Sequence, residues 1–334
     1  MSQSFYAENI YWMFRYWSRA EYIATVIYHY DLLLMDANDP VIDHEWKFIL
    51  HLFADNNAPL NLSSDSRRII TQKIKNFLLW DASNPASLLQ IVKKSHHNAK
   101  LTRGMIHSTL WIIMNKAYVF IDEIDHESEK NTKLNFFQFF YDLNQCMYGY
   151  LENHVSHTGY YHLIQLASTL ERGFQLSKTL LGIVNHFDIK KIHQGNKIDQ
   201  GRLGGFLLSL FHANEEYLKF KKELSLEEVI DFMLTNRFFP QTLTYLLQKM
   251  KFHIIALVHL QSQKALLPIE KQINLMLSAT SFDIDLLNPS KLHEYFTKII
   301  ALFDSLNRLI EKDLLFNDFF YYGDVYESDC RTFL

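Results

Sequence analysis

Glu8, Trp12, Arg15 and Arg19 follow one another at steps of four, three and four, a spacing that sets them on one face of a helix. Tyr11, Trp12, Tyr16 and Trp17 surround the two guanidiniums. Arginines at i and i+4 repel each other, and an aromatic setting is a costly place for charge unless carboxylates are supplied. Glu21 and the Glu171-Arg172 pair bring further charges of both signs. Packed together, two such helices would set Arg15, Arg19 and Arg172 against Glu8, Glu21 and Glu171. Two readings fit this constellation. In one, a buried ion network fixes how the helices cross, with arginine stems lying over aromatic rings. In the other, bidentate guanidinium forks in a partly apolar pocket await a carboxylate or phosphate, and a glutamate there serves as general base.

Other chemistry finds little support. The chain has no GxxxxGK[ST] loop, no HExxH and no GxSxG. A helical di-iron site needs two Glu-x-x-His pairs and two further glutamates, whereas Glu123 to His126 supplies one pair. His96-His97 and the trio His154, His157 and His162 lack metal-ligand spacing and read as solvated or core-edge residues. Cys146 has no partner at a useful spacing and reads as a buried free thiol. Neither a metal nor a cofactor is implied, and no catalytic residue is assigned.

The elements that carry these residues are helical. Gly and Pro number 10 and 6 in 334 residues, too few for Gly-rich phosphate loops or the tight turns of a β-sandwich. Apolar residues at three- and four-residue steps predict helices over 5–35, 41–54 and from about 66 to near Asp81. Asn84 as N-cap and Pro85 at the first helical position predict one long helix over 85–124. Ser63-Ser64-Asp65 offers an earlier cap. Further helices are expected over 135–154, 159–187, 197–222, 226–236, 240–262, 267–278 and 289–314, the last opened by Asn288-Pro289. The fold class is therefore all-α, a multi-helical bundle.

Two anchors repeat. Phe77-Leu78-Leu79 with Pro85 and Leu88 aligns with Phe232-Met233-Leu234 with Pro240 and Leu243, 155 residues on, and Arg19-Ala20 aligns with Arg172-Gly173, 153 on. This predicts two pseudo-symmetric halves from an internal duplication, 1–130 and 131–315, packed as one unit. An aromatic then polar tail, 316–334, follows; it either covers core or docks onto a partner.

Bulk properties narrow the partners. Lys plus Arg is 33 and Asp plus Glu is 37, a net charge of −4 with the basic residues scattered. That leaves no electrostatic footprint for nucleic acid or an anionic membrane. No apolar run approaches the roughly 18 residues that span a bilayer. No secretory leader is visible at the N-terminus, and the two cysteines, Cys146 and Cys330, lie far apart, which together point to the cytoplasm. The aromatic content also suits a homo-oligomer.

Residues 6–21, Tyr-Ala-Glu-Asn-Ile-Tyr-Trp-Met-Phe-Arg-Tyr-Trp-Ser-Arg-Ala-Glu, resemble the opening motif of the bacterial alpha-E domain family. Asp81 with Asn84-Pro85-Ala86-Ser87, Asn98-Ala99 with Arg103, Trp111 with Asn115, and Leu170-Glu171-Arg172 match later family landmarks in order. The resemblance implies an all-helical protein whose Glu-Arg motif falls on Arg19 and on Glu171-Arg172, with Glu8 and Arg15 beside it. It also implies an accessory role beside a circularly permuted ATP-grasp protein, in an ATP-dependent amide-ligation or peptide-modification system. The chain departs from the pattern at Ser18, where the family has Glu, and at Phe14, where it has Gly. On these grounds a non-catalytic helical partner of an ATP-grasp ligase is expected. The alternatives are a stand-alone helical scaffold, or an enzyme whose Arg/Glu cluster acts on an anionic or peptidic substrate.

Overall fold

The computed structural model describes residues 2–35, 45–54, 67–123, 132–186, 197–220, 224–261, 266–280, 286 and 288–315. Thirteen α-helices carry them, with no strand among the described residues. These are α1 (Gln3–Met35), α2 (Glu45–Ala54), α3 (Arg67–Leu79), α4 (Leu88–Leu101), α5 (Ser108–Glu123), α6 (Thr132–His154) and α7 (Gly159–His186). They continue with α8 (Lys197–Leu210), α9 (Asn214–Phe220), α10 (Leu226–Thr235), α11 (Leu243–Gln261), α12 (Leu267–Thr280) and α13 (Pro289–Ile310), closed by a π-helical turn, Glu311–Leu315. None of the described helices is long and apolar enough to cross a membrane.

Helix α7 is buried nearly all round, from Tyr160 to Val184, which marks it as the centre of the molecule rather than a surface helix. It packs against α1, α2, α11 and α13, while α1 packs against α4, α6, α7 and α8. Contacts of Arg15 and Arg19 with Glu171, and of Tyr22 with Thr179, run forward along both chains, so α1 and α7 are parallel. Asn185 meets His293 while Phe174 meets Phe303, so α13 runs antiparallel to α7. The neighbours correspond in order. α4 and α6 pack on α1 as α11 and α13 pack on α7, and α2 crosses to α7 as α8 crosses to α1.

Local chemistry sets several boundaries where the sequence places them. Asn288 caps α13, its side chain accepting from the Lys291 amide at 3.3 Å, with Pro289 in the first turn. Ser225 caps α10 by accepting from the Glu228 amide at 3.2 Å.

Other boundaries differ. The single helix expected over 85–124 is two, because Thr102 ends α4 and a turn over 102–107 intervenes. The buried Thr102 hydroxyl donates to the Asn98 carbonyl at 2.8 Å, drawing off an orphan acceptor of the last turn. The cap of α4 is Ser87 rather than Asn84. Asn84 instead closes the turn before it, donating to the Phe77 carbonyl at 2.9 Å and accepting from the Ala86 amide at 3.0 Å.

The helix expected over 197–222 breaks at His212, which has φ 52°. There the Ala213 amide reaches the Leu208 carbonyl at 2.8 Å and the His212 amide reaches Ser209 at 3.1 Å, the paired bonds of a Schellman end. The helix expected to 314 changes to the π turn at Glu311. Cys146 is exposed rather than buried, because it falls on the outer face of α6 between buried Leu143 and Met147. The Ser63-Ser64-Asp65 cap, most of the polar stretch 125–133, Cys330 and the tail 316–334 lie outside the described residues.

Candidate functional site

The parallel pairing of α1 and α7 brings Arg15 and Arg19 onto Glu171, and Arg172 onto Glu21. Glu171, 0% exposed, is the hub. Its Oε2 accepts from Arg15 Nε at 2.6 Å, and its two oxygens accept from Arg19 Nε and Nη2 at 2.7 and 3.0 Å. Gln175, one turn on, donates its amide nitrogen to Oε1 at 2.7 Å. The carboxylate therefore receives four hydrogen bonds and two positive charges, which is close to its full acceptor capacity.

Electrostatics follow from that geometry. Burial alone would push the Glu171 carboxyl up, but the guanidiniums of Arg19 and Arg15 outweigh it and hold it at about 2. Arg15 is itself only 5% exposed. Burial disfavours its charge, yet Tyr11 and Glu171 more than offset this and raise its pKa. Its Nη1 donates to the Tyr11 hydroxyl at 2.9 Å and to Asn307 Oδ1 at 2.5 Å, and the same Asn307 oxygen accepts from the Tyr11 hydroxyl at 2.6 Å. Asn307 thereby ties α13 into the pair, and its own amide nitrogen donates to Glu311 at 2.9 Å. Tyr11 and Trp12 lie beside the guanidinium, their centroids 5.7 and 5.6 Å from its carbon, within cation–π range.

Arg172 points away from this hub. Its Nη2 lies 3.4 Å from Glu21 Oε2, and its guanidinium sits 4.5 Å from the Tyr148 ring centroid. Glu21 is held by the Asn144 amide, and Asn144 accepts from Trp17 Nε1 at 3.0 Å. The Tyr148 hydroxyl bridges Ser168 and Ser18, each at 3.0 Å. Ser18, Glu21, Arg172 and Gln175 line a small pocket between α1, α7 and the α8–α9 break.

Glu8 is not part of the cluster. It lines an open groove with Trp12, Tyr16, Lys93 and Lys94, and it pairs with none of the three arginines. A four-residue step keeps residues on one face, but that face is broad. Arg15 turns toward α7 and α13, whereas Glu8 turns toward α4.

Sequence reasoning missed Gln175, Asn307, Asn144 and Tyr148. Gln175 was findable, since it stands four residues from Glu171 on a helix. Asn307 carries no local signal, because its role depends on α13 folding back over α1. A pair of histidines, His162 and His253, joins α7 to α11 with Nδ1 atoms 2.9 Å apart. Burial, joined by nearby histidines, lowers the two pKa values to about 4 and about 3.

Comparison with known proteins gives one family. The model of Alpha-E, described as a predicted alpha-helical domain with a conserved ER motif, matches residues 3–315. The chain contains one Glu-Arg dipeptide, Glu171-Arg172. No curated protein and no solved structure matches the chain.

Proposed function

The chain belongs to the Alpha-E family, and from that premise we propose that it is a non-catalytic helical binding protein, an accessory of an ATP-grasp-type amide-ligation or peptide-modification system. The observation that carries the non-catalytic half is the state of Glu171. A general base needs a pKa near the working pH and a face open to its substrate. Glu171 is 0% exposed, is bound on both oxygens and is held at about 2. The cluster thus acts as a lock between α1, α7 and α13, and binding falls to the surfaces that this lock holds in place. The accessory half rests on the family resemblance of residues 6–21. This reading also takes the two halves as products of a duplication. It is supported by the matching neighbours of α1 and α7 and by α4 and α11 beginning at Leu88 and Leu243, 155 residues apart.

The test is co-expression with a circularly permuted ATP-grasp protein from the same genome, followed by size-exclusion chromatography with light scattering. A stoichiometric complex is expected. Two separate peaks at micromolar concentration would overturn the accessory reading and leave a stand-alone scaffold.

A further inference from the structure

The open groove between α1 and α4 is sorted by charge along its length. Glu8, Trp12 and Tyr16 follow at four-residue steps on its α1 wall. At about 1.5 Å per residue, Glu8 and Tyr16 stand roughly 12 Å apart along the helix axis. Lys94 of α4 marks the Tyr16 end, with its Nζ 5.7 Å from the Tyr16 ring centroid. That ammonium donates to the Pro85 carbonyl at 2.9 Å, and among the described residues no carboxylate meets it. Partial burial and the charge of Arg19, three residues beyond Tyr16, lower its pKa. Lys93 is already answered by Asp122 at 3.9 Å. Glu8 is the one carboxylate among the described lining residues, and it pairs with no cation there.

The stretch between the two ends is uncharged and aromatic. The Trp12 and Tyr16 rings lie 5.6 Å apart with their planes at 31°. The Trp12 indole N–H and the Asn98 side-chain amide line the groove, are open to solvent and have no hydrogen-bond partner among the described residues. The groove is about 690 Å³ in volume, within the roughly 300–1,000 Å³ of small-ligand sites. An ammonium has three donors, so Lys94 keeps two beyond the one given to Pro85.

We propose that this groove binds a short peptide free at both ends, with its carboxylate at Lys94 and its ammonium at Glu8. Four extended residues span at most roughly 13–14 Å, which matches the offset of Glu8 from Tyr16. The peptide groups between the ends find donors in the Trp12 indole and the Asn98 amide, and small side chains lie on the two rings. A polyphosphate would set its far charges against Glu8. A fatty acid would leave Glu8 and the polar middle unanswered. The inference goes beyond the accessory reading and does not depend on it, since the groove and the placement of its charges are the whole of its basis.

The experiment is a ligand-observed saturation-transfer NMR titration of the intact chain at pH 7 with tetra-alanine. Its N-acetyl form, its C-terminal amide and dialanine are titrated in parallel, and tripolyphosphate serves as competitor. An exposed ion pair contributes little in water, so each cap is expected to weaken binding by about three- to fivefold. Dialanine reaches one end at a time and is expected to lose the same about three- to fivefold. Glu8→Gln is expected to erase the penalty of N-acetylation and keep that of amidation, and Lys94→Gln to do the reverse. Neither side chain is buried, so both variants are expected to keep the wild-type thermal midpoint; if Lys94→Gln melts early, Glu8→Gln decides. No transfer to tetra-alanine, caps without effect, an N-acetylation penalty that survives Glu8→Gln, dialanine binding as tightly, or displacement by equimolar tripolyphosphate would each overturn the assignment. The ligase is absent from this test, so its failure leaves the accessory reading standing.

Discussion

Glu171 has the most to lose from substitution. Arg15 is buried beside it, and removing one partner of a buried ion pair leaves an uncompensated charge. Glu171→Gln is expected to destabilise the fold by about 3–5 kcal/mol, read from urea unfolding; a change below about 1 kcal/mol would show that the carboxylate matters little. The His162–His253 pair makes a separate prediction at the same scale. Both rings have pKa values lowered below that of the unfolded chain, 6.5, to about 4 and about 3. The unfolded state then binds more protons as pH falls, so the contribution of the pair is complete above 6.5 and is lost progressively below it. The melting temperature is expected to drop between pH 7 and 5, with a loss on the order of 1–2 kcal/mol per ring, and His253→Phe is expected to flatten that slope. Glu171 adds nothing to this window, since its depressed pKa acts only below about 4.5. A flat melting temperature from pH 7 to 5 would refute the assignment. Of the ion cluster, Arg15, Arg19, Glu171 and Arg172 were readable from helical spacing and charge. Glu8 was misplaced because spacing gives a face and not the neighbour that the face meets.

Helices α7 and α13 meet at a glycine. A Cβ at Gly173 would lie 2.6 Å from Phe303 Cζ and 3.0 Å from Cε1, and Phe303 is fully buried, so its ring has no room to retreat. Helix propensity favours alanine by about 1 kcal/mol, and overpacking costs about 1–3 kcal/mol. Gly173→Ala is therefore expected to destabilise by roughly 1 kcal/mol, and Phe303→Leu in the same chain is expected to recover part of that. Stabilisation by Gly173→Ala alone would show that the helices do not approach so closely. The α8–α9 break gives the converse case. His212 holds a conformation that glycine adopts freely, so His212→Gly is expected to raise stability by up to about 1 kcal/mol in thermal unfolding; a loss would mean that the imidazole is needed there. The break escaped sequence reading because Phe211-His212-Ala213 contains no glycine or proline. The α4–α5 break was different, since Gly104 stood in the turn as a signal and the apolar periodicity on both sides masked it. At Asn288-Pro289 cap and proline set the boundary to the residue, whereas at Asn84-Pro85 the same pair closes a turn and the helix begins only after Ser87.

At the scale of the molecule, two parallel helices form a shared centre and the others dress them. The all-α class followed from the scarcity of Gly and Pro and from periodicity, because helix formation is a local matter. That α7 lies at the centre had no plain sequence signal, because its buried positions include Gln165, Ser168, Thr169, Glu171 and Ser177. The crossing of α2 to α7 and of α8 to α1 depends on long-range packing and had no sequence signal. What unites the scales is the claim that the Glu-Arg cluster is a lock between α1 and α7. A double-mutant cycle of Arg15→Met and Glu171→Gln, followed by urea unfolding, tests it most directly. Residues joined in one buried network show coupling of about 0.5–3 kcal/mol, and the account predicts the upper part of that range. Additive effects within about 0.3–0.5 kcal/mol would contradict it, for the two side chains would then be holding nothing together.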